Sequence, residues 1–235
     1  MINELFMSNK NNQKSFVDQV KGKKEVQKKS IGVYKYLVHH SFFEVLINAY
    51  PEFYRIIKEK KLEKEFDKSI YKFMQTKAIS PYIWQMPNEY RKFLKKSKYF
   101  KKLSYLNDLL HFEYSELFVF MQKSSLIKKK KFTSQKAYRV SKSIILHKYK
   151  YDVINKSFDT QETLYLLGYF DGDLQEVVYR PLNKLLFVFL KSINTTKNLK
   201  KNIKLFLHKY NLSIKIYAKE FENVLEELYE KRVLY

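Results

Sequence analysis

The chain has 235 residues, 45% of them apolar, enough to bury a core in one large or two small domains. It contains no cysteine, which excludes a disulfide framework, a cysteine-ligated zinc finger, an ordinary iron–sulfur site and a cysteine nucleophile. The formal charge of +22 points towards polyanions, acidic partners or membrane surfaces. Of the 46 basic residues only Arg55, Arg91, Arg139, Arg180 and Arg232 are arginines, the side chain best suited to reading base edges. The chain is also crowded with Asn, Ile, Phe and Tyr, so an AT-rich coding bias supplies part of the lysine excess.

The first residues carry a short apolar cluster (Ile2, Leu5, Phe6, Met7) followed by Asn, Lys and Gln, which is not a signal-peptide core. The longest unbroken apolar run, Leu185 to Leu190, is far below the roughly 20 residues a bilayer span needs. The expectation is a soluble, cytoplasmic protein with no membrane partner. From Ile31 to Tyr50 the apolar residues Val33, Leu37, Phe42, Val45, Leu46 and Ala49 recur at threes and fours and predict a helix. Pro51 breaks it near Tyr50. A short helix through Ile57 follows, then one from Leu62 to Met74 with Phe66, Ile70 and Phe73 on one face. Ser80 and Pro81 open a further element, with Trp84, Tyr90, Phe93 and Leu94 on its apolar side. The longest helix is expected from Leu103 to Met121.

Ser124, Ser125 and the run Lys128 to Lys131 form a self-repelling charge block, read as a linker over 123–135. Residues 1–122 are then a helical domain and 136–235 a second one. In that second domain Ser143 to Tyr149 and Glu162 to Phe170 read as strands, the latter rich in β-forming residues. Asp171, Gly172 and Asp173 read as a tight hairpin turn using the positive φ of Gly172, with Leu174 to Arg180 returning as the partner strand. Pro181 opens a helix through Ile193, and Asn194 to Thr196 cap a second helix that runs to Tyr210. A last helix from Ser213 places Tyr217, Phe221, Val224, Leu225 and Leu228 on one stripe. The fold class is α+β: a helical domain, then a small winged-helix-like domain of order β-β-β-α-α-α.

Catalytic signatures are missing from the sequence: no phosphate-cradling glycine loop, no Gly-x-Ser-x-Gly elbow and no His-Glu-x-x-His. His39 and His40 diverge by about 100° on a helix and cannot share a metal without a bend. His40 with Glu44, and Asp108 with His111, each offer two potential ligands where an open catalytic zinc takes three. Asp108 and Glu113 point to different helix faces and read as interhelical anchors. No cofactor, metal or catalytic residue is expected.

A three-stranded sheet backed by helices leaves an edge that accepts an added strand unless lysines blunt it. The predicted peptide site is the last strand with the groove beside the last helix: Val177, Val178, Tyr179, Arg180, Lys215, Tyr217, Lys219 and Phe221. Lys215, Lys219 and Arg180 would favour an acidic peptide. The competing class is DNA binding, as in a transcriptional regulator, through Lys200, Lys201, Lys204, Lys215 and Lys219.

The stretch Ile31 to Pro51, IGVYKYLVHHSFFEVLINAYP, resembles the opening of the HvfC/BufC family N-terminal domain. Phe66, the Ser80 and Pro81 pair, the YRKFL segment from Tyr90 to Leu94, and YLNDLLHFE from Tyr105 to Glu113 follow in the family's order. The resemblance covers Ile31 to Met121 and departs at Lys35, usually arginine, and at Leu110, usually alanine. Members carry a DNA-binding label. The family is also similar to the small subunit of methanobactin-type maturation complexes, which partners a multinuclear iron oxygenase. The resemblance therefore implies a non-catalytic accessory subunit in ribosomal-peptide natural-product biosynthesis, binding a precursor leader peptide while the partner holds the iron. Aromatic residues of the helical domain (Tyr34, Phe42, Phe43, Tyr54, Trp84, Tyr90) are expected to supply core, with docking as their second role.

Overall fold

The computed structural model describes residues 2–26, 28–76, 82–122 and 131–235, and in its first helix the side chains from residue 11 onward. Among these residues the chain is mixed α+β, with nine α-helices, a short 3-10 turn and a three-stranded antiparallel sheet. Packing divides it into two compact units, Met1–Tyr114 and Ser115–Tyr235. The Ser80 and Pro81 start, and the expected linker up to Lys130, lie outside the described residues.

The first unit holds α1 (Ile2–Val20), α2 (Lys29–Ala49), α3 (Pro51–Glu59), α4 (Glu63–Met74), a 3-10 turn (Ile83–Gln85), α5 (Met86–Lys96) and the start of α6 (Leu106–Met121). The α2–α3 break falls at Tyr50, and Pro51 begins α3, where its missing N–H is no loss. No helix was expected before residue 31. The polar run 8–14 hides α1, whose later Phe16 meets Tyr34 of α2 edge-on at 5.7 Å and whose Val20 is buried. The core is largely aromatic: Phe53, Phe66, Phe73 and Tyr90 are buried and meet edge to face. Two tyrosine hydroxyls are satisfied inside it. Tyr50 donates to the Pro87 carbonyl at 2.6 Å, and Tyr90 pairs with Ser69.

Helix α6 begins three residues later than periodicity suggests, since Leu103 and Leu106 close turns onto the Phe100 and Leu103 carbonyls; Phe100 itself has a left-handed φ of 55° and donates its N–H to Glu65 Oε1 at 2.9 Å. Glu113 on α6 is an anchor, as its position implied. Its carboxylate accepts from the N–H groups of Glu52 and Phe53, at 2.6 and 3.2 Å, in the first turn of α3. A helix start has orphan N–H groups and a positive dipole end, so an anion from another helix suits it. Leu110 is buried in this unit, and the Lys35 ammonium lies 5.7 Å from the Tyr71 ring.

The second unit holds β1 (Ile145–Tyr149), β2 (Leu164–Asp171), β3 (Glu176–Leu182), α7 (Lys184–Ser192), α8 (Leu199–Lys209) and α9 (Ile214–Glu230). The sheet order is β1-β2-β3, both pairs antiparallel. Strand alternation splits it into two faces. Leu146, Tyr165, Leu167, Tyr169, Val178 and Leu182 join the core formed with α7, α8 and α9, where Phe189, Phe206 and Phe221 meet. On the other face lie Leu166, Gly168, Phe170 and Tyr179, which take the last turns of α6: Phe120 meets Phe170 at 6.0 Å, and Ser115 pairs with the Tyr179 hydroxyl at 2.7 Å.

Three local expectations are corrected here. The β2–β3 connection is not the tight turn over 171–173 on a positive φ at Gly172. It is a four-residue loop, since Asp171 pairs with Glu176, and the positive φ of 59° falls on Gln175. Asp171 replaces the need for glycine by accepting from the N–H of Asp173 at 2.9 Å, an Asx turn. Pro181 does not open a helix; it is the penultimate residue of β3, and Asn183 caps α7 by accepting from Leu186 N–H at 2.8 Å. Asn194 to Thr196 do not cap α8. Asn198 does, accepting from Lys201 N–H at 2.8 Å, while Asn194 is tied to Asn202.

Candidate functional site

The candidate site is the outer side of β3. Among the described residues no strand pairs with β3 beyond β2. Pro181 faces Leu166 across the pair and has no N–H to give. Proline fits a strand where the donor would turn away from its neighbour. Antiparallel strands alternate, so the N–H of Val177 turns outwards with that of residue 179, and the N–H of Val178 turns towards Tyr169 of β2. Val177 therefore offers a main-chain donor to an added strand. Val178 holds β3 in the sheet and reaches the core.

The structure scatters the remaining predicted site residues. The Tyr179 side chain is turned to the α6 face of the sheet, and burial pushes its hydroxyl pKa up. Arg180 donates to Glu227 Oε1 of α9 at 2.7 Å, so its charge is already met. Lys215 and Lys219 are exposed but stand about 18 and 12 Å along α9 from Glu227, at 1.5 Å per residue. They therefore form no single cluster with Arg180. Phe221 is a core residue between Phe189 and Phe206, and Tyr217 is half-buried against the same core. The stretch of α9 level with β3 is acidic, and Lys231 just beyond it bonds Asp171 at 2.8 Å and Asp173 at 3.2 Å. These contacts clamp the β2–β3 hairpin onto α9 and hold the Asp171 carboxyl below its usual range, chiefly through the Lys231 hydrogen bond.

The alternative cationic set has a different disposition. Lys200, Lys201 and Lys204 are exposed on α8, opposite its buried face of Leu199, Ile203, Phe206 and Leu207. The sequence from Glu176 to Glu220 contains no other acid, the longest such interval in the chain.

The histidines build no metal centre among the described residues, where no group of three or more ligating side chains comes together. His40 Nε2 is 3.8 Å from Glu44 Oε1 at the surface. His39 is buried, stacks on Tyr71 at 4.0 Å, and has Nε2 3.0 Å from Asp67 Oδ1 but off the line a hydrogen bond needs. Desolvation lowers its pKa, against the attraction of Asp67. In the helical unit Tyr90 is fully buried, Phe42, Phe43, Tyr54 and Trp84 are half-buried, and Tyr34 is exposed. Sequence reasoning missed the Arg180–Glu227 and Lys231–Asp171 pairs, which join residues far apart in the chain. The one signal available was Pro181, whose missing donor fixes the direction of β3.

No protein-family model matches this chain, and a search of curated proteins finds no match.

Proposed function

We propose that the chain is a non-catalytic partner subunit that binds an extended precursor peptide and presents it to a multinuclear iron oxygenase. The observation that carries the peptide half is the outer position of β3, with the Val177 donor directed away from the sheet. An incoming strand gains main-chain hydrogen bonds there, and the small β-β-β-α-α-α unit serves as a winged-helix-like recognition module. Because Arg180 is paired with Glu227, recognition rests on the main chain and on half-buried Val177, not on a cationic clamp. The oxygenase half rests on the resemblance of Ile31 to Met121 to the HvfC/BufC N-terminal domain. The test begins with the neighbouring reading frames, searched for an iron oxygenase and a short cysteine-bearing peptide, and proceeds by co-expressing those found with this chain. The reading expects a stable complex of all three chains. Val177→Pro should weaken peptide binding about fivefold while leaving the complex with the oxygenase intact, through loss of one main-chain bond worth about 1 kcal/mol. Peptide affinity unchanged by Val177→Pro would refute the edge, and a failure of the two proteins to associate would refute the partnership.

A further inference from the structure

The exposed lysines of α8 lie apart from the residues that shape the β3 edge and call for a separate explanation. Lys200 and Lys204 are one turn apart, Lys201 lies beside them, and His208 continues the row over about 12 Å of helix. Among the described residues none of these lysines has an ion-pair partner. On α4, by contrast, the exposed Lys64, Lys68 and Lys72 share their helix with Glu63, Glu65 and Asp67. On α8 there is no acid at all.

The start of α8 is not the binding feature, because its N–H groups are occupied. Leu199 donates to the Lys136 carbonyl and Lys200 to the Ser134 carbonyl, both at 2.8 Å, and Lys201 donates to Asn198. Any anion on this face must be held by lysine side chains alone. Lysine ammoniums are hydrated point charges without the paired donors that read base edges. The exposed arc has only Leu205 as an apolar residue on α8, too little to seat in a bilayer or to anchor an amphipathic peptide. A straight row of unpaired cations suits a polymer that repeats its charge evenly, which engages in any register.

We propose that the exposed face of α8 is a sequence-independent docking surface for the phosphate backbone of a nucleic acid. The probe is a labelled random-sequence duplex of about 20 bp, titrated by fluorescence anisotropy between about 50 and 200 mM salt. Each neutralised phosphate contributes about −0.9 to the slope of log affinity against log salt. The combined variant Lys200→Gln, Lys201→Gln, Lys204→Gln should therefore flatten the slope by about 2.7 units and weaken low-salt binding about tenfold or more. A second duplex of different sequence should bind equally. Lys64→Gln, Lys68→Gln, Lys72→Gln removes the same charge from α4 and should change neither quantity. Equal loss from the two triple variants would overturn the proposal by reducing it to net charge. So would tighter binding to phosphatidylserine vesicles or polyglutamate than to the duplex, either of which would give the face to a lipid or an acidic protein. The three side chains are exposed, and a second set of variants, to alanine, keeps the test valid if glutamine disturbs the helix.

Discussion

Gly168→Ala tests how β3 is seated. Gly168 is buried in the central strand, opposite Tyr179 on β3 and Ile145 on β1. A methyl built there would stand 2.8 Å from Tyr179 Cε1 and 3.0 Å from Cδ1, and 3.5 Å from Ile145 Cβ. The Tyr179 ring cannot simply swing away, since its hydroxyl is tied to Ser115 at 2.7 Å. Overpacking of this kind costs about 1–3 kcal/mol, and a lost hydroxyl bond adds about 1 kcal/mol. Removing glycine's freedom in the unfolded chain offsets about 0.4–1 kcal/mol of this. The expected net loss is about 1–3.5 kcal/mol, read as a lower urea midpoint followed by circular dichroism. The cause is checked by a double-mutant cycle with Tyr179→Ala, which opens the space the methyl needs. Gly168→Ala should then become nearly neutral. A stabilised single variant, or an undiminished penalty in the Tyr179→Ala background, would refute the reasoning.

Glu113→Gln should destabilise the helical unit by about 2 kcal/mol, because charge-assisted bonds to the Glu52 and Phe53 N–H groups are lost at the positive end of α3. Fluorescence of Trp84, the single tryptophan, during urea unfolding reads this. Val178→Pro should damage folding instead of binding, since its donor faces β2 and its side chain reaches the core. A lower urea midpoint distinguishes it from Val177→Pro. The Asp171 carboxyl has a lowered pKa in the folded chain, so its contribution is complete above the ordinary carboxylate pKa near 3.9. That contribution is lost as the pH falls from there through the folded value. Asp171→Asn should lower stability at neutral pH and flatten the acid limb of the stability profile for the second unit.

Helices α2 to α5 were legible because their apolar residues recur at helical spacing and because Pro51 marks a boundary by chemistry alone. Strands β1 to β3 were legible from β-branched and aromatic residues, but their ends were not. Pro181 is as good a residue for the outer side of an edge strand as for a first helical turn, and only pairing with Leu166 decides between them. Asp171 illustrates the same limit. Aspartate followed by glycine suggests a glycine-driven turn, yet the aspartate side chain does the turning and a glutamine takes the positive φ. In the candidate site the outer strand was readable, whereas the state of Arg180 was not. Its pairing depends on where Glu227 falls when α9 packs, a long-range consequence that no local pattern carries. The α8 lysines show the converse, since their isolation from acids is written in the sequence and only their shared face needed coordinates.

The most direct measurement is amide hydrogen exchange, resolved to single residues, on the full chain with and without a short cysteine-bearing peptide of the proposed precursor class. Strand addition predicts that the Val177 amide, exchanging quickly in the free protein, becomes protected when peptide is present, while the Val178 amide is slow in both states. A Val177 amide already slow without peptide, or one that stays fast at saturating peptide, would contradict it.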